Sequence, residues 1–355
     1  MVWNRNALTE RLGIEWPILQ APMGGFTTPA LAAAVSNAGG LGGLGMWGFA
    51  AEDVERRIQG FRQQSGGSLN VNYPIWDDPG DLGGRAPEMR AALQTLYDAN
   101  GLGLLPEPHA IAGGVSPEHL DVLTRVKPEL VSFHFGLPEP ATVAALKDAG
   151  VFIICSANSV GEARVLETGG VDAIIAQGLE AGGHRGTFTG IDMSRQAGLM
   201  ALLPQVVDAV QVPVIAAGGI ADGRGIAAAL MLGASAVQIG TAFLRCVEAD
   251  VGEAHRVALS GASDDSTVVT NVFTGRPARF VENELIRSLH SIDPLPFPAQ
   301  AAWTEPLDET GNPELGLLYS GQAVALTREM PAADLIETLA RETDSVLREW
   351  REQTL

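Results

Sequence analysis

Short apolar runs ending in glycine alternate with Ala/Leu-rich stretches whose apolar positions recur every three or four residues, from about Trp16 to Cys246. Compact apolar runs bounded by turn formers predict strands, and longer stretches of helical period behind a capping residue predict helices. On this basis strands are expected over residues 17–22, 41–46, 69–73, 130–135, 152–156, 173–177, 214–217 and 236–240. Helices are expected over 28–37, 51–64, 139–148, 160–168, 199–209 and 223–232, with Thr28, Ser159 and Asp222 as caps.

Repeated βα units with continuously apolar strands, such as Val151-Phe152-Ile153-Ile154-Cys155, indicate a parallel sheet covered on both faces. The fold expected is an α/β (β/α)8 TIM barrel. Residues 77–127 exceed a plain βα connection and predict an insertion, with a helix over 87–99 and a Gly/Pro-rich loop around 101–114, serving as a lid or second wall. After Cys246 the rhythm stops. Residues 260–313 read as polar and unstructured, and a last helix is expected over 331–349. The organisation expected is a barrel over 10–255, insertion included, and an extension over 256–355 that packs on it.

Composition narrows the partners. The chain has 23 basic and 42 acidic residues among 355, a net charge of −19, which repels a polyphosphate backbone and argues against nucleic acid. Cys155 and Cys246 sit in apolar runs without CxxC spacing, so neither a disulfide framework nor zinc is expected. No apolar stretch suits a signal peptide or a membrane span, and a soluble cytoplasmic protein without a membrane partner is the expectation. No His or carboxylate cluster has metal-site spacing, so no catalytic metal is expected.

Three motifs bear on chemistry. Gly40-Leu41-Gly42-Gly43-Leu44-Gly45 matches GxGxxG by letter, but a helix precedes it and a strand occupies it, the reverse of a dinucleotide loop. Ala217-Gly218-Gly219-Ile220 follows the seventh expected strand and Gln238-Ile239-Gly240-Thr241 ends the eighth, where barrels bind phosphate through backbone N–H groups; for Gly218 and Gly219 a plain tight turn is the alternative. Gly178-Leu179-Glu180-Ala181-Gly182-Gly183-His184-Arg185-Gly186 follows the sixth strand, at the catalytic face of a barrel. His184 is therefore a candidate acid–base group, against a surface histidine beside a hinge. Strand alternation points Ser132 and His134 inward and Val131, Phe133 and Phe135 toward helices, making His134 either a substrate contact or a satisfied core histidine. His109, His119, His255 and His290 read as surface residues.

Taken together, Ala21-Pro22-Met23-Gly24, Asn70-Val71-Asn72, residues 131–136, 177–186, 216–220 and 238–241, and Tyr319-Ser320-Gly321-Gln322 resemble the nitronate monooxygenase family, over roughly residues 10–340. The resemblance implies FMN as cofactor, and oxidation of alkyl nitronates by O2 to a carbonyl compound and nitrite. It places Met23, Asn72, Gln177, Gly182, Gly219, Gln238, Ile239, Gly240 and Thr241 against FMN, with His184 as the catalytic histidine. His184 would deprotonate a neutral nitroalkane or orient a nitronate. One alternative is an NAD(P)H-dependent FMN reductase of the enoyl-ACP or quinone reductase type, because the Glu180–His184 segment is shared with such enzymes; residues 131–138 and 319–322 favour the nitronate group. A non-catalytic barrel binding a flavin or phosphate ligand is a further alternative.

Overall fold

Leu19 and Leu41 pair in parallel, and that contact turns an eight-stranded sheet into a barrel. A computed structural model describes residues 3–108 and 113–354. Its strands are β1 (Ile18–Gln20), β2 (Gly42–Gly45), β3 (Leu69–Pro74), β4 (Leu130–His134), β5 (Phe152–Ala157), β6 (Ala173–Gln177), β7 (Gly183–His184), β8 (Val214–Ala217), β9 (Ala236–Ile239), β10 (Thr267–Thr270) and β11 (Ala278–Val281). The barrel runs β1-β9-β8-β6-β5-β4-β3-β2, every pair parallel, and closes through Gln20 N–H to Leu41 O at 2.9 Å and Leu41 N–H to Ile18 O at 3.0 Å. The (β/α)8 barrel is therefore the fold. Because residues 42–45 form β2, the GxGxxG match lies in a strand.

Alternation along the strands builds two cores. Leu19, Leu130, Phe152, Ile154, Ile175 and Ile215 fill the barrel, joined by Leu8, Leu12 and Ile14. The helix Ala7–Leu12 therefore packs into one end of the barrel, where its cap residue Asn6 also bonds Ser235 O at 2.8 Å, just ahead of β9. The opposite face of the strands, including Val71, Phe133, Ile153, Ile174 and Val237, packs under the surrounding helices.

Those helices are Pro29–Asn37, Ala51–Arg62, Pro117–Val126, Pro140–Asp148, Val160–Thr168, Leu199–Ala209, Gly223–Met231 and Ala332–Thr354. Thr28, Ser159 and Asp222 cap theirs as expected, each side chain accepting a backbone N–H of the first turn. The helix Pro117–Val126 was not expected, although Ser116 followed by Pro117 is a strong start signal. The last helix is not an appendage. It packs against both Pro29–Asn37 and Gly223–Met231, and buries Leu335, Ile336 and Leu339 in the barrel's outer core.

Residues 260–313 depart most from the sequence expectation. They are ordered, with β10, β11 and the helices Glu284–Leu289 and Ala301–Asp308. Their apolar residues Phe273, Phe280, Leu285, Trp303 and Leu307 share one core with Met89, Leu93, Tyr97 and Leu105 of the insertion, whose helix spans Pro87–Asn100. The Trp303 indole donates to Pro106 O at 2.9 Å and the Tyr97 hydroxyl to Trp303 O at 3.0 Å. Neither segment has enough apolar surface alone, so a reading of local patterns misses the partner about 200 residues away. Among the described residues no helix is long and apolar enough to cross a membrane.

Candidate active site

The barrel strands end at a cavity of about 550 Å³, within the range of small-molecule sites. Met23, Asn72, His134, Gln177, Gly182, His184, Gly219, Gln238, Gly240 and Thr241 all line it, although they come from six different barrel strands and the loops after them. Ile239 does not. Its side chain lies on the other face of β9, 1% exposed in the outer core, because alternation that turns Gln238 inward must turn its neighbour outward.

Close backbone packing shapes one wall. Gly218 and Gly219 have φ of 113° and 68°, a region that L side chains avoid, which turns the chain sharply after β8. A Cβ on Gly182 would lie 2.6 Å from Gly321 N, so the 182 and 321 backbones need glycine to approach. Gly321 N–H donates to Thr241 Oγ1 at 2.9 Å, and Gln322 N–H to Glu180 O at 3.0 Å. The distant segment 319–322 is thereby stitched to the loops after β6 and β9. Both Glu180 oxygens accept Leu199 N–H, capping the helix Leu199–Ala209.

His184 is held from both ends. β7 pairs antiparallel with β11, setting His184 opposite Ala278. The His184 carbonyl accepts from Gln177 Nε2 at 3.1 Å and from His134 Nε2 at 3.1 Å, while its ring Nε2 lies 2.9 Å from Thr274 Oγ1. Phe297, Phe135 and Tyr319 surround the ring at centroid distances of 5.5, 5.8 and 5.8 Å. This enclosure, with smaller contributions from His134 and Arg276, lowers the His184 pKa to about 3, so the ring is neutral at physiological pH. The Gln177 amide is committed to the same loop, its Oε1 accepting Gly186 N–H and Asn158 Nδ2–H, both at 2.9 Å.

His134 has both nitrogens engaged. Since a carbonyl only accepts, Nε2 carries the proton given to His184 O, and Nδ1 accepts from the Ser156 hydroxyl. Burial first, offset by the His184 hydrogen bond and aided by Arg276 and Arg185, lowers its pKa to about 4. His134 thus lines the cavity while supporting the His184 loop. Beneath it, Arg185 is fully buried and donates to Gly178 O, Gln177 O and Gln196 Oε1 at 2.7, 3.1 and 2.7 Å. Arg276 stacks 3.8 Å over the Phe135 ring and donates to the carbonyls of Arg185 and Thr187. Glu162 accepts from Thr187 Oγ1 at 2.5 Å, Asn158 N at 2.7 Å, Phe188 N at 2.9 Å and Thr189; burial opposes its ionisation, but these bonds outweigh it and lower its pKa.

Sequence reading missed Thr274, Arg276 and Phe297, all in the stretch taken as unstructured; the turn formers Gly275 and Pro277 beside Thr274 and Arg276 were the available signal. Phe135 was expected under helices. Instead its φ of 70° takes it out of strand geometry and onto the cavity wall. His255 was expected on the surface but is 5% exposed and bonds Tyr319 O at 2.9 Å, since its helix Glu253–Gly261 packs inward. His119 is half-buried, bonding Phe49 O at 2.9 Å and Ser116, whereas His290 is exposed as expected. His109 lies outside the described residues.

A closed barrel with a glycine-walled cleft at its strand ends, and an enclosed neutral histidine beside that cleft, is the layout of a barrel enzyme acting on a small molecule. The nitronate monooxygenase family model matches residues 5–342. The chain is 40% identical to a nitronate monooxygenase of Paraburkholderia phytofirmans, with 98% of each chain covered. Among solved structures, nitroalkane oxidase from Streptomyces ansochromogenes superposes with a TM-score of 0.90 at 38% identity, covering 97% of this chain and 100% of that one. FabK from Thermotoga maritima superposes with a TM-score of 0.75 at 31% identity, covering 98% and 99%. The chain belongs to the nitronate monooxygenase family and is an oxidoreductase. The non-catalytic alternative is thereby set aside.

Proposed function

We propose that the protein binds FMN in the barrel cavity and oxidises alkyl nitronates with O2 to a carbonyl compound and nitrite. The observation that carries this reading is the His184 ring, hydrogen-bonded to Thr274, lining a cavity that Gly182, Gly218, Gly219, Gly240 and Gly321 also line. No lysine or arginine lines that cavity among the described residues, so the FMN phosphate falls to backbone N–H groups at Gly219, Gly240 and Thr241. Gln238 Oε1 is buried without a protein partner, an acceptor suited to the N–H of the flavin ring. Met23, Asn72, Gln177 and Gly182 complete the cofactor wall. When bound, FMN supplies the electron-accepting and oxygen-reactive chemistry that no side chain here can supply.

The protein's own work is on the substrate. With a neutral nitroalkane, the unprotonated His184 ring takes the α-proton and the C–H electrons pass to the nitro group. With a nitronate no base is needed, and His184 orients the anion. His134 and Gln177 hold the His184 carbonyl, Thr274 holds the ring, and the aromatic wall of Phe135, Phe297 and Tyr319 encloses it.

A reductase using NAD(P)H is the second reading, motivated by the likeness to FabK. Purified yellow protein mixed without oxygen with NADH or with a nitronate separates the two. Loss of flavin colour with the nitronate alone, and nitrite formed in air, is the expected result; rapid loss with NADH overturns it. His184→Asn should abolish turnover of neutral nitroalkanes and spare most nitronate turnover.

A further inference from the structure

The hydrogen bonds around Thr274 link the direction of its hydroxyl to the tautomer of His184. Thr274 is 4% exposed, and its hydroxyl has three neighbours: Arg276 O at 3.2 Å, Arg276 N at 3.4 Å and His184 Nε2 at 2.9 Å. Arg276 O can only accept, and Arg276 N–H can only donate. Pointed at Arg276 O, the single hydroxyl hydrogen satisfies a carbonyl that could not otherwise use this hydroxyl, and one lone pair faces Arg276 N–H. In that arrangement the remaining lone pair faces His184, and the 2.9 Å contact is made by an N–H at Nε2; the opposite tautomer would turn the hydroxyl hydrogen to His184 and take it from Arg276 O.

We infer that Thr274 is a positioning residue that holds His184 as the Nε2–H tautomer and leaves the Nδ1 lone pair as the base. Among the described residues the structure gives Nδ1 no hydrogen-bond partner, while the ring lines the cavity. In the proton-transfer step the substrate Cα–H bond breaks and an Nδ1–H bond forms. The electron pair moves onto the nitro group, and the resulting imidazolium keeps its Nε2–H bond to Thr274. Geometry alone sets this arrangement: Thr274 sits in the turn 274–277 that leads into β11, and β11 pairs with the strand that carries His184. The same short sheet therefore carries the base and the group that orients it. Burial, and after it the charges of His134 and Arg276, disfavour the doubly protonated form at rest. The inference rests on His184 acting as base in the proposed function.

The test combines a spectroscopic and a kinetic readout on the flavin-loaded full chain. Two-bond 15N–1H correlation spectra of histidine-labelled protein report the tautomer, and His184→Asn identifies the His184 signals by their loss. The expected result is an Nε2–H ring in the wild type, a mixed or Nδ1–H ring in Thr274→Val, and a return to Nε2–H in Thr274→Ser. Thr274→Val should lose about 10- to 100-fold in kcat on a neutral nitroalkane, the scale of a misplaced general base, and should lose less on a nitronate, where the ring only orients the anion. An Nδ1–H ring in the wild type overturns the inference, as does a tautomer that Thr274→Val leaves unchanged; the first needs no variant to fold. If instead the tautomer behaves as stated but His184→Asn retains full nitroalkane turnover, the base role of His184 fails and the inference that Nδ1 is the base fails with it, whereas an unchanged tautomer sinks the inference alone.

Discussion

Gly182 and Gly321 meet backbone to backbone, close enough that a methyl group on Gly182 would sit 2.6 Å from the Gly321 nitrogen and one on Gly321 would sit 3.0 Å from the Gly182 nitrogen. Two loops about 140 residues apart in sequence are thus fused into one wall of the cavity.

Either glycine replaced by alanine should push these loops apart, at a cost of about 1–3 kcal/mol typical of overpacking. Because Gly182 lines the cavity proposed for FMN, Gly182→Ala should also lower the bound flavin per mole of purified protein. Visible absorbance against protein concentration measures this; an unchanged ratio would remove the wall from the cofactor site.

Glu162 accepts five hydrogen bonds, four of them from residues 187–189. Glu162→Gln turns one acceptor oxygen into a donor facing donors, and should cost about 2–4 kcal/mol by urea unfolding. Amide exchange at residues 187–189 should rise while the strands of the barrel stay protected.

Trp303 ties the insertion to the C-terminal segment through its burial and its bond to Pro106 O. Trp303→Ala should cost about 3–5 kcal/mol. Limited proteolysis is expected to cut first within residues 87–105, and cleavage spread evenly over the chain would argue against a shared core.

His134, His184 and His255 all have pKa values lowered in the fold, the first two to about 4 and about 3, with burial the largest cause in each. An unfolded histidine titrates near about 6.5. Below that pH the unfolded chain gains protons that the folded chain refuses, so stability is full above about 6.5 and falls as the pH is lowered toward the folded values. Between about pH 6.5 and 5, above the range of ordinary carboxylates, the histidines carry this loss. His184→Asn should flatten the slope in that window by up to about 1.4 kcal/mol per pH unit, measured as unfolding free energy against pH.

The barrel was legible because its signals are local. Strands 173–177 and 214–217 fall where the apolar runs put them, and caps such as Asp222 act on residues two and three positions away. The cavity residues were legible through motifs that sit at strand ends. Ile239 shows the limit of a motif: a contiguous string of four residues was assigned to the site, but a strand can turn only alternate side chains to one face. The surroundings of His184 were hidden for another reason. Thr274, Arg276 and Phe297 reach it only through β11 and the core shared with the insertion, and those contacts depend on segments that look polar and irregular when taken singly.

The last helix, Ala332–Thr354, occupies the place between the helices that follow β1 and β8. A ribosome must therefore deliver every barrel strand before the ring of helices can be completed, and until then the apolar flank of Pro29–Asn37 waits uncovered. The nascent barrel is consequently most exposed to aggregation late in synthesis, when most of its strands exist but their final cover does not. A chain without Ala332–Thr354 would keep every barrel strand, yet have an open seam from its first βα unit to its seventh.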